Sequence, residues 1–204
     1  MRRRSLIAVA LILTGTLLLG ACGDDDGPDF TTADLERLNF TPDDLPEMEY
    51  QADSSGQGAF RVDQEQEAEE EGDESGVRLV EDLDELGLEE DFVSQFFAFE
   101  RGSELGFIES ITFLFEDEAG AEDAVEVVRD AAAKNIAPAE EIEAPELGEQ
   151  PFGLSGEFEG FPTYTYGWRV GDVIQLFTAA PNDQKAGPEG ALELAEQLEA
   201  KAQE

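Results

Sequence analysis

Cys22 is the only cysteine in this 204-residue chain, and histidine is absent. No disulfide can close within one copy, so the fold must be held by packing and hydrogen bonding alone. The missing histidine excludes Ser-His-Asp and Cys-His nucleophilic catalysis, and it excludes His-ligated metal centres. A fold without such staples needs length. About 180 residues follow Cys22, enough for one domain with a sizeable core.

The residues before Cys22 carry an address. Arg2, Arg3 and Arg4 precede an apolar run from Leu6 to Leu19, and Leu19-Gly20-Ala21-Cys22 closes it. A basic start, a short apolar stretch and small residues at a cut site make a secretory signal. The run of about 14 residues is shorter than the roughly 20 that a membrane-spanning helix needs, and Thr14, Gly15, Thr16 and Gly20 interrupt it. An uncleaved N-terminal anchor and an unlipidated secreted protein are the alternatives. Arg3-Arg4-Ser5-Leu6-Ile7 also fits the core of a twin-arginine signal, which leaves the export route open.

The tetrad ends in cysteine where most signals end in Ala-x-Ala, and so resembles the lipobox of prokaryotic lipoproteins. That resemblance implies that residues 1–21 are a signal peptide and that the Cys22 thiol receives a diacylglyceryl group. It also implies that Cys22 becomes the mature N-terminus. The chain is then expected on the extracytoplasmic face of the cell membrane. Each buried methylene contributes about 0.8 kcal/mol, and stable anchoring takes two or more acyl chains.

Residues 1–21 hold three arginines and no acids, so removing them leaves nine Lys and Arg against 50 Asp and Glu, a formal charge of −41. Nucleic acid and anionic lipid carry the same sign and are excluded as partners on that ground. A solvated, self-repelling monomer is expected. Adaptation to a salty or cation-rich exterior and a general acidic bias explain the composition equally well.

Residues 22–31 read as an acidic linker, with Gly23 to Asp29 wholly Gly, Asp and Pro. Residues 32–204 read as one domain. Thr31 or Thr32 is placed to cap a brief helix ending near Leu38, and Met48 to Gln51 suit a short strand. Residues 64–76 are Gln, Glu, Asp and small residues, and read as a mobile acidic insertion. Val77 to Leu86 repeats apolar residues at the helical period. Phe92 to Phe99 fits either a strand or a helix end. Gly106 to Glu116 alternates as a strand, with Phe107, Ile111, Phe113 and Phe115 on one parity and Glu109 among them. Ala119 to Lys134 carries an apolar stripe of Ala121, Ala124, Val125, Val128 and Ala132, with Asn135 as a cap. Ile136 to Gly156 reads as a loop. Thr163 to Arg169 and Asp172 to Ala179 flank Gly171-Asp172 as a hairpin. Pro188 to Gln203 is a closing helix that buries Ala191, Leu194, Ala195 and Leu198.

The predicted fold class is therefore α+β. A single domain with an antiparallel sheet and two or three packing helices follows an N-terminal signal peptide. Gly120-Ala121-Glu122-Asp123-Ala124 opens a helix after a strand, and Trp168-Arg169-Val170-Gly171-Asp172-Val173 feeds a strand and a closing helix. Thr41-Pro42-Asp43-Asp44-Leu45-Pro46 lies soon after the lipobox. With the lipobox, that order resembles a class of small actinobacterial-type lipoproteins, and PsbP-like and extracytoplasmic sensor-like domains. Only Cys22 takes a role from the resemblance.

Chemistry is sparse. Asp24-Asp25-Asp26, Glu69-Glu70-Glu71 and Glu116-Asp117-Glu118 offer oxygens to calcium but lack EF-hand spacing, so they read as solvated charge runs. Two carboxylates suffice for glycoside hydrolysis, but 50 acids make many pairs by chance. No phosphate loop, nucleophile elbow or metal motif is present, so no enzyme, cofactor or metal is expected. Tyr164, Tyr166 and Trp168 alternate on one strand face, and are the candidate ligand-facing aromatics. Their plain alternative is packing beneath a helix. Phe96, Phe97 and Phe99 pose the same choice, and Arg101 and Arg169 read as structural salt-bridge partners. The expected function is a lipid-anchored extracytoplasmic binding or protein-interaction module, taking a small ligand or a membrane-protein partner. An accessory or sensor subunit and a carboxylate-dependent hydrolase are the alternatives.

Overall fold

The computed structural model describes residues 28–72, 74–98, 105–144, 146–158, 160–182 and 188–203. Residues 1–21, where a signal peptide is expected, Cys22 and Asp24 to Asp26 lie outside the described residues, as do Phe99 and Arg101. Eight strands form one antiparallel sheet: β1 (Glu49–Tyr50), β2 (Gly56–Gln57), β3 (Leu88–Phe97), β4 (Leu105–Phe115), β5 (Glu140–Ile142), β6 (Glu149–Phe158), β7 (Phe161–Val170) and β8 (Val173–Pro181). Their order is β1-β3-β4-β8-β7-β6-β5, with β2 beside β1 on β3. Four helices complete the α+β domain: α1 (Ala59–Glu71), α2 (Ser75–Glu85), α3 (Glu118–Asn135) and α4 (Glu189–Ala202).

The sheet is covered on both faces. On one, Val93, Ile111, Phe113, Phe115, Phe152, Leu154 and Ile174 meet the α3 stripe of Ala121, Ala124, Val125, Val128 and Ala132, all buried. Asp117 caps α3 by accepting the Gly120 N–H at 2.8 Å, so one acid of the Glu116–Glu118 run serves the helix start. On the other face, Phe96, Ile108, Tyr166, Trp168, Phe177 and Ala179 meet Phe40 and the α4 residues Ala191, Ala195 and Leu198. Leu194 of α4 is only half-buried.

Three stretches differ from the sequence expectation. Residues 64–71 are the body of α1, and α2 begins at Ser75. Glu, Gln and Ala are strong helix formers, so an acidic segment without an apolar stripe still takes helical form where its first turn is docked. That first turn is docked: Phe60 stacks edge-on against Phe113 at 5.1 Å, and its N–H donates to the buried Asp91 carboxylate at 2.9 Å. Residues 136–156, expected as a loop, supply β5 and most of β6. Pairing with β7 overrides their Pro, Gly and acid content. Residues 32–38 form hydrogen-bonded turns rather than a helix, with Asp34 accepting both the N–H and the hydroxyl of Thr31. Leu35 and Leu38 of these turns are fully buried.

A buried polar seam fixes that N-terminal segment to the sheet. Gln175 on β8 accepts the Trp168 indole N–H at 2.9 Å and donates to the Leu38 carbonyl at 2.8 Å. Asn39 donates to the Leu35 carbonyl and to Thr112 Oγ1, both at 2.9 Å, and Ser110 Oγ accepts the Phe40 N–H at 3.3 Å. Asn39, Ser110, Thr112, Trp168 and Gln175 are all fully buried. A buried polar group left without a partner is costly, so these bonds favour one register of the segment on the sheet.

Candidate recognition surface

The aromatic ladder does not face a ligand. Trp168 is fully buried and Tyr166 is 1% exposed, both inside the core under α4. Only Tyr164 is half-buried. Burial of the ring pushes the Tyr166 hydroxyl up to about 12, with Tyr164 and Glu189 adding to it. Alternation along β7 does place the three on one face, but α4 and Phe40 occupy that face. The candidate ligand-facing role of Tyr166 and Trp168 is thus corrected to core packing. Phe96 is likewise core, while Phe97 lies on the opposite face, partly buried against Phe107 with ring centroids 5.0 Å apart. Arg169 keeps its structural part. It is 7% exposed, ion-pairs with Glu149 and donates to the Gly171 carbonyl at 2.8 Å.

A different surface emerges from the strand register. On the α3 face, Val93, Ile111, Leu176, Gly167 and Phe152 line up across β3, β4, β8, β7 and β6 as an apolar row. Two residues further along each strand, the next row is Gln95, Glu109, Thr178 and Thr165. On β6 the row ends at the buried Leu154; of its four polar members Gln95, Glu109 and Thr178 are partly exposed and Thr165 is buried. Gln95 Nε2 donates to Glu109 Oε2 at 2.6 Å, and the Thr165 and Thr178 hydroxyls share a hydrogen bond at 3.1 Å. The row beyond holds Phe97, Phe107, Ala180 and Thr163, and past it Phe161 pairs with Phe158 at the β6–β7 turn.

Glu109 is the chemical centre of this surface. Burial raises its carboxyl pKa, the Gln95 hydrogen bond lowers it, and the charge of Asp63 on α1 raises it further. A carboxyl whose proton affinity is raised by burial and a like charge is a mark of functional sites. With the Gln95 amide and the Thr178 hydroxyl, the row offers hydrogen bonds and a carboxyl that holds its proton more tightly than usual. The sequence signal was present, since Glu109 interrupts an otherwise apolar strand parity. Gln95, Thr165 and Thr178 carried no such signal, because only the register aligns them.

The opposite end of the sheet holds the N-terminal segment. The Phe30 N–H donates to both Asp172 carboxylate oxygens, at 3.2 and 3.4 Å, beside the Gly171 turn. Gly171 has φ +59, and a Cβ there would collide with the Pro28 carbonyl oxygen. Strand β7 runs ten residues from Phe161 to Val170, so the two ends lie about 30 Å apart. Among the described residues no helix is long and apolar enough to cross a membrane.

No protein-family model and no curated protein matches the sequence. In structure the chain is similar to the extracellular domain of PknH from Mycobacterium tuberculosis. The likeness has a TM-score of 0.52 at 11% identity and covers 86% of this chain and 96% of that one. At that identity the two share a fold.

Proposed function

We propose that this chain is a lipid-anchored extracytoplasmic binding module, with Cys22 as the anchor and the open end of the α3 face as the recognition surface. The Gln95–Glu109–Thr178–Thr165 row carries the reading. A partly buried carboxyl costs the fold stability, and the neighbouring row shows that apolar residues pack at the equivalent positions. Placement supports it. Seven residues separate Cys22 from Phe30, so an anchor at Cys22 would hold the Asp172 end nearer the lipid than the polar row midway along β7. The extracellular location of the PknH domain fits this arrangement. The reading is that of a binder: apart from the charge of Asp63 on α1, the groups beside Glu109 are an amide and hydroxyls.

The test has two arms on the full chain. Palmitate labelling and membrane fractionation are expected for the wild type and lost in Cys22→Ala; unchanged labelling removes the anchor. A thermal-shift panel of sugars, amines and short basic peptides is expected to give hits that vanish in Thr178→Val/Gln95→Leu. Hits indifferent to that change, or a panel without hits, contradict the recognition surface.

A further inference from the structure

Phe158 and Phe161 are 49% and 48% exposed. They face each other across the last pair of the β6–β7 hairpin, so both side chains leave the same face of it. Their own fold gains little from rings left half in water. The tip is slender: Gly160 takes φ +83, and nothing stands within 4 Å of where its Cβ would lie. Glu157 beside the pair is exposed, and the sequence places Glu159 between them.

We infer that the Phe158–Phe161 tip is a docking knob for a partner protein whose apolar pocket is rimmed by Lys and Arg. The inference rests on the proposed function for its orientation and names the partner class for that end of the sheet. Charge selects the occupant. The whole chain carries −38 and the tip adds its own acids, so a basic rim is complementary and a second copy of this chain is repelled. The anchoring membrane is excluded twice. Its anionic headgroups repel the tip, and the tip stands about 30 Å along β7 from the Asp172 end that receives the tether. A projecting pair of rings has no enclosing wall for a small molecule, whereas it matches the aromatic anchors that centre protein interfaces.

The test places a photo-reactive phenylalanine analogue at 158, at 161 and, as control, at the exposed Asp123, in the full chain within native membranes, and sequences the cross-linked peptides. The expected result is one segment of a different protein, apolar with flanking Lys or Arg, captured from 158 and 161 but not from 123. Its yield should fall at least tenfold in 0.5 M salt and severalfold in Glu157→Gln. Adducts to lipid, to this chain itself, or to a segment without basic residues overturn the inference, as does a yield equal to the control. Palmitate labelling of the same samples separates this failure from failure of the anchor.

Discussion

Replacing Gln175 by Leu tests the buried seam that holds the N-terminal segment on the sheet. The side chain is fully buried and serves two groups at once, the Trp168 indole N–H at 2.9 Å and the Leu38 carbonyl at 2.8 Å. Leucine fills similar space but pairs with neither. Each orphaned buried group costs about 1–3 kcal/mol, and the extra apolar contact of leucine returns part of that. The net loss is about 2–4 kcal/mol, a large share of the roughly 5–15 kcal/mol that a domain has. Urea unfolding followed by far-ultraviolet circular dichroism, which reads all the variants alike, should show the midpoint falling by about 1–2 M at a slope typical of this size. Trp168→Phe removes the indole donor. The double variant Gln175→Leu/Trp168→Phe should therefore lose about 1–2 kcal/mol less than the two single losses combined. A Gln175→Leu loss under about 1 kcal/mol, or strict additivity, refutes the claim that these hydrogen bonds fix the segment.

Acid should stabilise this domain rather than weaken it over the range just above the ordinary carboxyl pKa. Burial raises the Asp91, Glu109 and Asp172 carboxyls, so each favours its protonated, folded form. Their contribution is full below the unfolded value and is lost as pH rises through the folded one. Asp34 and Asp44 oppose this: Thr31 and Arg37 hold Asp34 low, and at Asp44 burial is outweighed by the Lys201 and Thr41 hydrogen bonds; their share is lost only as pH falls below the ordinary value. Thermal unfolding at pH 5.5 and 8 checks the balance, with a higher midpoint expected at the lower pH. Glu109→Gln, which can still accept from Gln95, should narrow that difference and not lower stability at neutral pH. Trp168→Ala should cost about 3–5 kcal/mol through the cavity it opens under α4, read by calorimetry, whereas a ligand-facing ring would cost far less.

Sequence and structure agree where one local signal suffices. The α3 stripe, the Gly171-Asp172 hairpin and the closing helix all rest on periodicity or turn chemistry contained in a few residues. Agreement fails where a distant partner decides. Residues 149–158 become a strand because β7 lies beside them, and α1 forms where Asp91 on β3 receives its first turn. The same limit governed the site. Alternation put Tyr164, Tyr166 and Trp168 on one face, but only the packing of Phe40 and α4 shows that this face is closed. Glu109 was visible as an acid in an apolar parity, yet its neighbours Gln95 and Thr178 come from strands distant in sequence.

The central claim is that the tether joins the Asp172 end of the sheet while the Phe158–Phe161 tip stands at the other end. Energy transfer in the lipidated full chain, reconstituted in bilayers with a headgroup acceptor, reads it directly. A donor at position 161 should lie about 30 Å farther from the headgroups than a donor at position 203, beside Phe30 and Ala202. Equal distances, or position 161 nearer the lipid, would contradict the account.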